Sequence, residues 1–319
     1  MINRLVNFLK MHLKTYGLFH GIRKILITSV YKRLTDNVMA DHVYEKSSYK
    51  YVEQFYKRHE AEYNVNGTAD KIGENEFIFW TCWLQGIETA PDLVKACIHS
   101  AEKTNTEYRV IIITYDNLKN YIDLPEFILE KHKKGFIQMP QFTDIIRLYL
   151  LYTYGGLWFD STVYFTQPVP KNIIKENIFF FKSPLNDIYC PVSNWFIVAS
   201  LKQNLLLFRL LCVLFDYWRI NNKCIDYFIF HYFLQAIINN DSECADIFVK
   251  IPYHNNQNPH YLQLQLLFSE YDNELWEKIK NISFCHKLTY KTPAGKAETA
   301  GSSFFSFLCN QNTGKNAIA

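Results

Sequence analysis

Two kinds of hydrophobic pattern succeed each other along the chain. Residues 1–35 carry apolar side chains at helical spacing with basic side chains between them, and residues 41–63 continue with a more polar helical pattern. These stretches predict basic amphipathic helices, which either pack on the rest of the protein or lie on an anionic membrane surface. The sequence therefore predicts a helical N-terminal region over residues 1–70. Residues 64–75, rich in turn formers, separate it from the rest of the chain.

Short apolar runs begin at residue 76 and alternate with amphipathic stretches. Residues 76–83 and 108–114 predict strands, and their apolar runs are typical of strands covered on both faces. Residues 91–104 between them have helical spacing, and Thr89 is the expected N-cap. A strand, a helix and a strand at this spacing predict a βαβ unit with parallel strands. Ligands gather at the carboxyl ends of such strands.

A second group of elements surrounds a pair of glycines. A strongly apolar helix is predicted over residues 141–154, and Gly155-Gly156 suits a left-handed helix stop. The pattern of residues 157–165 then predicts one strand that contains a single carboxylate, Asp160. Further strands are predicted at 178–181 and 195–199, and further helices at 203–220, 225–239 and 270–280. These elements predict a domain over residues 71–293, followed by a small, polar tail over 294–319.

Charge is distributed unevenly along the chain. Residues 1–35 hold seven Lys or Arg and no acid, whereas the remainder carries 27 basic and 31 acidic residues. A basic arm on a mildly acidic body does not indicate nucleic-acid binding; it indicates peripheral contact with a membrane.

Basic residues interrupt every early apolar run, so neither a secretory signal nor a spanning helix is predicted. Eight cysteines without regular spacing are typical of reduced thiols. We expect a cytoplasmic protein with peripheral contact at the inner membrane face.

The charged side chains include a set suited to a diphosphate. Asp144 and Arg147 are three residues apart on a predicted helix, where they form either a local salt bridge or part of a site. Asp160 lies in an apolar run, which is costly unless the carboxylate is paired, hydrogen-bonded or bound to a metal. His286 and Lys287 add a candidate metal ligand and a cation. Acids for a ribose and a divalent ion, with cations for the charge of a leaving group, are together the set that binding a diphosphate requires.

The order of these residues carries a family resemblance. TDIIRLYLLYTYGGLWFDSTVYF (143–165) resembles the S-D-x-x-R…G-G-x-[YW]-x-D-x-[DT] block of family 32 glycosyltransferases, which have a DXD sugar-binding region. WTCWLQGIETAPDLVKACIHS (80–100), SNWFIVA (193–199) and FCHKLTYK (284–291) are similar to its bacterial capsular polysaccharide synthesis branch. The resemblance covers residues 76–291. It implies an α/β fold of GT-A type, with a Rossmann-like nucleotide-binding sheet and added helices.

The resemblance also implies roles for the donor-site residues. Trp83 corresponds to an aromatic that stacks on the donor base, although a core tryptophan explains it too. Asp144 corresponds to the acid that contacts the donor sugar or ribose, and Arg147 to the cation near the diphosphate. Asp160 corresponds to the first acid of the DXD motif, which touches ribose and a divalent metal, Mn²⁺ or Mg²⁺. Thr162 occupies the place of the second acid of the DXD motif and so departs from the full motif. Its neutral hydroxyl is a poorer ligand for these ions than a carboxylate.

The remaining candidate residues lie later in the chain. Asn194 corresponds to an asparagine near the transferred sugar, or caps a strand end. His286 corresponds to a late histidine that reaches the metal or phosphate, and Lys287 is a candidate for binding the diphosphate. Asp226 is a candidate on the acceptor side of the reaction, and His231 is expected to be a core histidine.

Together these features predict a glycosyltransferase. The resemblance implies a UDP- or GDP-sugar donor, retention at the anomeric carbon and no dedicated protein base. The expected acceptor is a growing, lipid-linked oligosaccharide of a capsular or surface polysaccharide. Two rival interpretations stay open. One is an enzyme with a protein acceptor, and the other is a non-catalytic sugar-nucleotide-binding or scaffold protein, which Thr162 favours.

Overall fold

The strands of the protein are short and largely buried. The computed structural model describes residues 37–59, 73, 76–184, 187–291 and 302–311. The predicted basic helices of residues 1–35 lie outside these ranges, as does nearly all of the expected boundary at 64–75. The strands are β1 (Ile78–Cys82), β2 (Arg109–Ile113), β3 (Gly156–Phe159), β4 (Val163–Phe165), β5 (Phe179–Lys182), β6 (Val192–Ala199) and β7 (Cys285–Lys287).

Helices occupy most of the remaining described chain. They are α1 (Asn37–His59), α2 (Asp92–Thr104), α3 (Leu118–Tyr121), α4 (Glu126–Lys133), α5 (Met139–Thr153), α6 (Lys171–Ile174), α7 (Leu205–Ile220), α8 (Ile229–Asn240), α9 (Ser242–Val249), α10 (Gln257–Tyr261), α11 (Asn273–Ile282) and α12 (Phe304–Asn310). A π-helical turn over Leu262–Leu266 comes directly after α10. Among these helices none is both long enough and apolar enough to cross a bilayer.

A five-stranded sheet in the order β2-β1-β3-β6-β5 forms the centre of the fold. β1 runs parallel to both β2 and β3, whereas β6 runs antiparallel to β3 and β5. The chain passes from β1 to β2 through α2, so the predicted βαβ unit is confirmed. The predicted α/β fold, with a Rossmann-like sheet and added helices, is confirmed as well.

Side chains alternate between two hydrophobic layers along each central strand. Trp80, Trp158 and Ile197 belong to the core on one face, which α1, α5, α7 and α8 complete. Their neighbours Phe79 and Phe159 belong to the core on the other face. Because successive residues of a strand point to opposite faces, a strand buried on both sides must be apolar throughout. This explains the uninterrupted apolar runs that predicted these strands.

The backbone conformation directly after α5 requires glycine at two successive positions. Gly155 and Gly156 have φ angles of 67° and 100°, so the predicted left-handed stop is confirmed. The Gly155 carbonyl accepts a hydrogen bond of 2.9 Å from Trp80 Nε1. A Cβ at Gly156 would overlap the carbonyl oxygen of Ile78 in the neighbouring strand. Only glycine therefore lets the chain leave α5 and enter the sheet at this point.

The predicted strand over residues 157–165 is in fact two strands. β3 ends at Phe159, and a turn closed by the hydrogen bond from Val163 N to Asp160 O leads to β4. β4 leaves the central sheet and pairs antiparallel with β7 in a separate two-stranded sheet. Asp160 consequently lies just beyond the carboxyl end of β3 instead of inside a strand, because polar residues 160–162 stop the apolar run.

Two further expectations differ from the structure. The N-cap of α2 is Pro91, while Thr89 ends a short 3-10 helix and its side chain bonds the Gly86 and Gln85 carbonyls. The segment expected as a polar tail contains α12, which buries Phe304 and Leu308 against α2 and its surroundings. Large apolar side chains at positions 304 and 308 share one face of a helix, and their burial outweighs the polar character of the flanking residues.

Candidate active site

A cavity of about 360 Å³ opens where β1 and β3 end. Such an edge is where α/β sheets gather ligands. Seven of the nine site residues predicted from the sequence line it. The lining consists of Cys82, Trp83, Leu84, Gln85, Met139, Pro140, Thr143, Asp144, Arg147, Trp158, Asp160, Ser161, Thr162, Asn194, Tyr227, Phe228, His231, Lys287 and Tyr290.

Arg147 holds two carboxylates together at the base of this cavity. Its guanidinium lies 3.1 Å from Asp144 Oδ1, one turn earlier on α5, and donates to Asp160 Oδ1 at 3.1 Å. It also donates to the Asn194 carbonyl oxygen at 2.7 Å and faces the Trp158 ring at 5.2 Å. The salt-bridge interpretation of the Asp144–Arg147 pair is therefore correct, and the pair lies inside the cavity as well.

Lys287 contacts the other carboxylate oxygen of Asp160. Its ammonium donates to Asp160 Oδ2 at 2.8 Å and to Thr162 Oγ1 at 2.7 Å. Pairing of β4 with β7 sets this position, since Val163 lies opposite Lys287 and Leu288 N donates to the Thr162 carbonyl. Trp158 Nε1 completes the partners of Asp160 with a hydrogen bond of 3.1 Å to Oδ1.

The two carboxylates differ in their tendency to ionise. Burial raises the pKa of Asp144 to about 7, against the opposing effects of Arg147 and the Asn194 amide, which donates to Asp144 Oδ1 at 3.0 Å. Burial acts in the same direction on Asp160, but Lys287 and Arg147 outweigh it and hold that pKa below its usual value. Asp160 is therefore ionised at neutral pH, whereas Asp144 titrates there.

His231 lines the cavity although the sequence indicates a core position. Its side chain is buried, and burial together with the nearby Arg147 charge lowers its pKa to about 3. Within the described residues, its Nδ1 has no hydrogen-bond partner. A neutral imidazole has one donor and one acceptor nitrogen, and at the cavity wall it can form one hydrogen bond with a ligand. The burial of His231 agrees with the expected core position, and nothing in the apolar run IFHYFL indicates that the ring also reaches the cavity wall.

Aromatic side chains form the outer walls of the cavity. Trp83 comes directly after β1 and meets Tyr290 edge-to-face, with ring centroids 5.7 Å apart and an interplanar angle of 81°. Tyr227 and Phe228 lie at the other side, with 66% and 41% of their surface exposed. Exposed aromatics at a cavity mouth give flat surfaces on which bases and sugar rings stack.

Two predicted site residues lie away from the cavity. His286 is fully buried, because side chains alternate along β7 and Lys287 takes the cavity-facing position. Burial lowers the pKa of His286 to about 4, and the Ser283 backbone offsets this only in part. Asp226 precedes Tyr227 but turns inward: its Oδ1 accepts from Phe228 N and its Oδ2 from Ser48 Oγ on α1, each at 3.1 Å. Asp226 therefore holds the loop that carries Tyr227 and Phe228.

Similarity to known proteins identifies the family. A family model described as capsular polysaccharide synthesis protein matches residues 31–308. The chain belongs to this family. A solved structure, the PaToxG glycosyltransferase, is similar over 67% of this chain and 85% of its own, with 16% sequence identity and a TM-score of 0.37. No curated protein sequence gives a significant match.

Proposed function

We propose that this capsular polysaccharide synthesis protein is a glycosyltransferase that uses a nucleoside diphosphate sugar. The observation that carries the proposal is the cavity itself, in which Asp144 and Asp160 alternate with Arg147 and Lys287 at the carboxyl edge of the sheet. Two cations suit a diphosphate, and carboxylates accept hydrogen bonds from sugar hydroxyls. The proposed fold type is GT-A, and the resemblance of residues 143–165 to family 32 glycosyltransferases supports it.

The donor would lie across the charged cluster. Arg147 and Lys287 neutralise the diphosphate, and Asp160 and Asp144 bind hydroxyls of the ribose and the transferred sugar, as the family resemblance implies. The base rests against the Trp83–Tyr290 wall. The Asn194 amide and backbone keep Asp144 and Arg147 in place through hydrogen bonds of 3.0 and 2.7 Å.

The reaction we propose retains the anomeric configuration. The bond from the anomeric carbon to the diphosphate oxygen breaks, and its electron pair leaves with the diphosphate. The acceptor hydroxyl oxygen then bonds to the anomeric carbon from the same face, and its proton passes to the departing phosphate oxygen. Positive charge held near that oxygen stabilises the negative charge developing there. Arg147 and Lys287 supply this charge, and the reaction needs no protein base.

The acceptor we propose is a growing saccharide, attached to a lipid. Tyr227 and Phe228 present exposed rings at the cavity mouth, where a sugar of the acceptor would stack. The basic residues 1–35 would bring the enzyme to the anionic membrane surface that carries such an acceptor. Deletion of residues 1–35 should release the protein from anionic vesicles, and unchanged vesicle binding would remove this part of the proposal.

Calorimetric titration with a panel of UDP- and GDP-sugars tests the function. We expect one donor to bind in the micromolar range and Asp160→Ala to weaken it at least about tenfold, which is about 1.4 kcal/mol. Asp123→Ala, which changes an exposed aspartate, is the matched control. Product analysis with saccharide and protein acceptors then distinguishes the acceptor classes. If none of the donors binds, the glycosyltransferase proposal is wrong and a scaffold role takes its place.

A further inference from the structure

The segment from Asp160 to Thr162 corresponds by sequence resemblance to the metal-binding DXD motif, but its side-chain oxygen atoms already accept hydrogen bonds from other residues of the protein. A divalent ion such as Mn²⁺ or Mg²⁺ needs several oxygen ligands with free lone pairs directed at it. Asp160 Oδ1 accepts from Arg147 and Trp158, each at 3.1 Å. Asp160 Oδ2 and Thr162 Oγ1 both accept from Lys287, at 2.8 and 2.7 Å. Three of the roughly four lone pairs of the Asp160 carboxylate therefore face cationic or N–H donors, which leaves about one for a hydroxyl and too few for a divalent ion.

The described cavity offers too few free carboxylate oxygens to complete a metal site. Asp144, the other carboxylate of the cavity, uses Oδ1 for both Arg147 and the Asn194 amide and so offers at most its second oxygen, whereas a divalent ion needs several oxygen ligands. His286 is buried on the opposite face of β7 from the cavity. Across the described ranges, no three His, Cys, Asp or Glu side chains come together as a metal site would require. The residues present thus do not fit a divalent ion.

The Lys287 ammonium lies between the first and third residues of the segment. It is held from both sides, because Asp160 and Thr162 each accept one of its N–H groups. Its side chain is 19% exposed and lines the cavity, so the ammonium remains accessible to a ligand. An ammonium has three N–H donors, and the two contacts leave one for an incoming oxygen.

We propose that Lys287 takes the place of the divalent ion, so that the protein binds the diphosphate of its donor without metal. The third N–H of Lys287 donates to a phosphate oxygen, and Arg147 adds a second positive charge beside it. A fixed ammonium also repels a divalent ion from the same position. This inference rests on the proposed donor site. It deepens that proposal by replacing the expected cofactor with a residue of the chain.

Titration of the protein with Mn²⁺ alone tests the inference without any substrate. The electron paramagnetic resonance signal of free Mn²⁺ reports how much of the ion is bound. We expect the wild-type protein to bind Mn²⁺ weakly, with a dissociation constant of about 1 mM or higher. The double variant Lys287→Met with Thr162→Asp removes the ammonium and adds a carboxylate, and we expect it to bind Mn²⁺ at least about tenfold more tightly. Tight Mn²⁺ binding by the wild type that a folded Asp160→Ala variant abolishes would overturn the inference, even if the double variant does not fold.

Nucleotide binding provides the second measurement. Titration of UDP and GDP in EDTA and in Mn²⁺ should give affinities within about twofold of each other for the wild type. Lys287→Met should weaken binding in EDTA by about tenfold or more, and Lys134→Met, at an exposed lysine, should not. A wild type that binds nucleotide only with Mn²⁺, or a Lys287→Met variant of unchanged affinity, would contradict the inference. Absence of nucleotide binding throughout would instead refute the proposed donor site, and the Mn²⁺ titration would still decide what occupies the cation position.

Discussion

The Asp226 carboxylate accepts a hydrogen bond from Ser48 Oγ, although 178 positions of sequence separate the two residues. Ser48 lies on α1, and the other oxygen of Asp226 accepts from the backbone of Phe228 at the cavity wall. The contact therefore fastens an N-terminal helix to the loop that we propose for acceptor binding. Because both side chains are buried, loss of the bond leaves a polar group without its partner.

Substitutions at Asp226 separate this positioning role from the acceptor-side chemical role that the sequence indicates. Asp226→Ala should lower the free energy of unfolding by about 1–3 kcal/mol, measured by urea denaturation. Asp226→Asn keeps an oxygen for Phe228 N and places an amide beside Ser48 Oγ, so its stability and turnover should remain near wild type. A loss of turnover in Asp226→Asn without a loss of stability would instead indicate acid–base chemistry at this residue.

Donor affinity should weaken as pH rises through about 7, where Asp144 titrates. Below that pH Asp144 is neutral, and the cluster with Arg147, Asp160 and Lys287 carries one net positive charge. Above it Asp144 ionises and the net charge becomes zero. The diphosphate of a nucleotide sugar keeps its charge in this range, so we expect about fivefold weaker binding at high pH. Calorimetry across this range measures the effect.

Asp144→Asn is the control for this pH dependence. The variant cannot ionise at position 144, so its donor affinity should stay constant from acid to alkaline pH. Affinity that increases with pH, or a dependence that survives in Asp144→Asn, would contradict the assignment.

His231 should contribute to turnover in its neutral form. Its pKa of about 3 means that it is uncharged at working pH. In the Asp144→Asn background, which lacks the titration near pH 7, the rate should therefore show no step at the usual pKa of histidine. His231→Ala should lower kcat/KM about tenfold by removing a hydrogen bond to substrate. His99→Gln, at an exposed histidine, is the control. If His231→Ala is less stable but has an unchanged kcat/KM, His231 is a core histidine without a role in turnover.

Gly156 should tolerate no side chain. Gly156→Ala combines a φ of 100° with overlap of the Ile78 carbonyl, and we expect it to lower the free energy of unfolding by more than about 3 kcal/mol. Gly135→Ala shares the positive φ, at 74°, but meets no neighbouring atom, and should cost only about 1 kcal/mol. Denaturation of the two variants in parallel separates the overlap with the Ile78 carbonyl from the backbone strain that both share. Equal losses in the free energy of unfolding would show that the overlap contributes nothing.

Local patterns predicted most of the fold because each element carries its own signal. The apolar runs of β1 and β2, the helical spacing of α5 and the glycine pair depend on neighbouring residues alone. The turn at Asp160 is different, since β4 pairs outside the central sheet with β7, a strand that lies far along the chain. Phe304 and Leu308 likewise need the distant surface of α2 before a polar stretch becomes a helix.

The site was predictable where a residue belongs to a compact motif. Asp144, Arg147, Asp160 and Thr162 lie within one continuous run, and the structure brings them together. His286 and Lys287 are adjacent in sequence, yet only strand alternation decides which of them faces the cavity. The inward turn of Asp226 depends on Ser48, a partner that no local pattern identifies.

Pairing of β4 with β7 also fixes an order of assembly during synthesis. The ribosome delivers Asp160 long before Lys287, so a nascent chain carries an acidic group whose cation has not yet emerged. A chain that ends before residue 287 contains Asp160 and Arg147 but lacks both the ammonium and the strand that pairs with β4. The donor site that we propose is therefore complete only after β7, the last strand of the described sheets, has been synthesised.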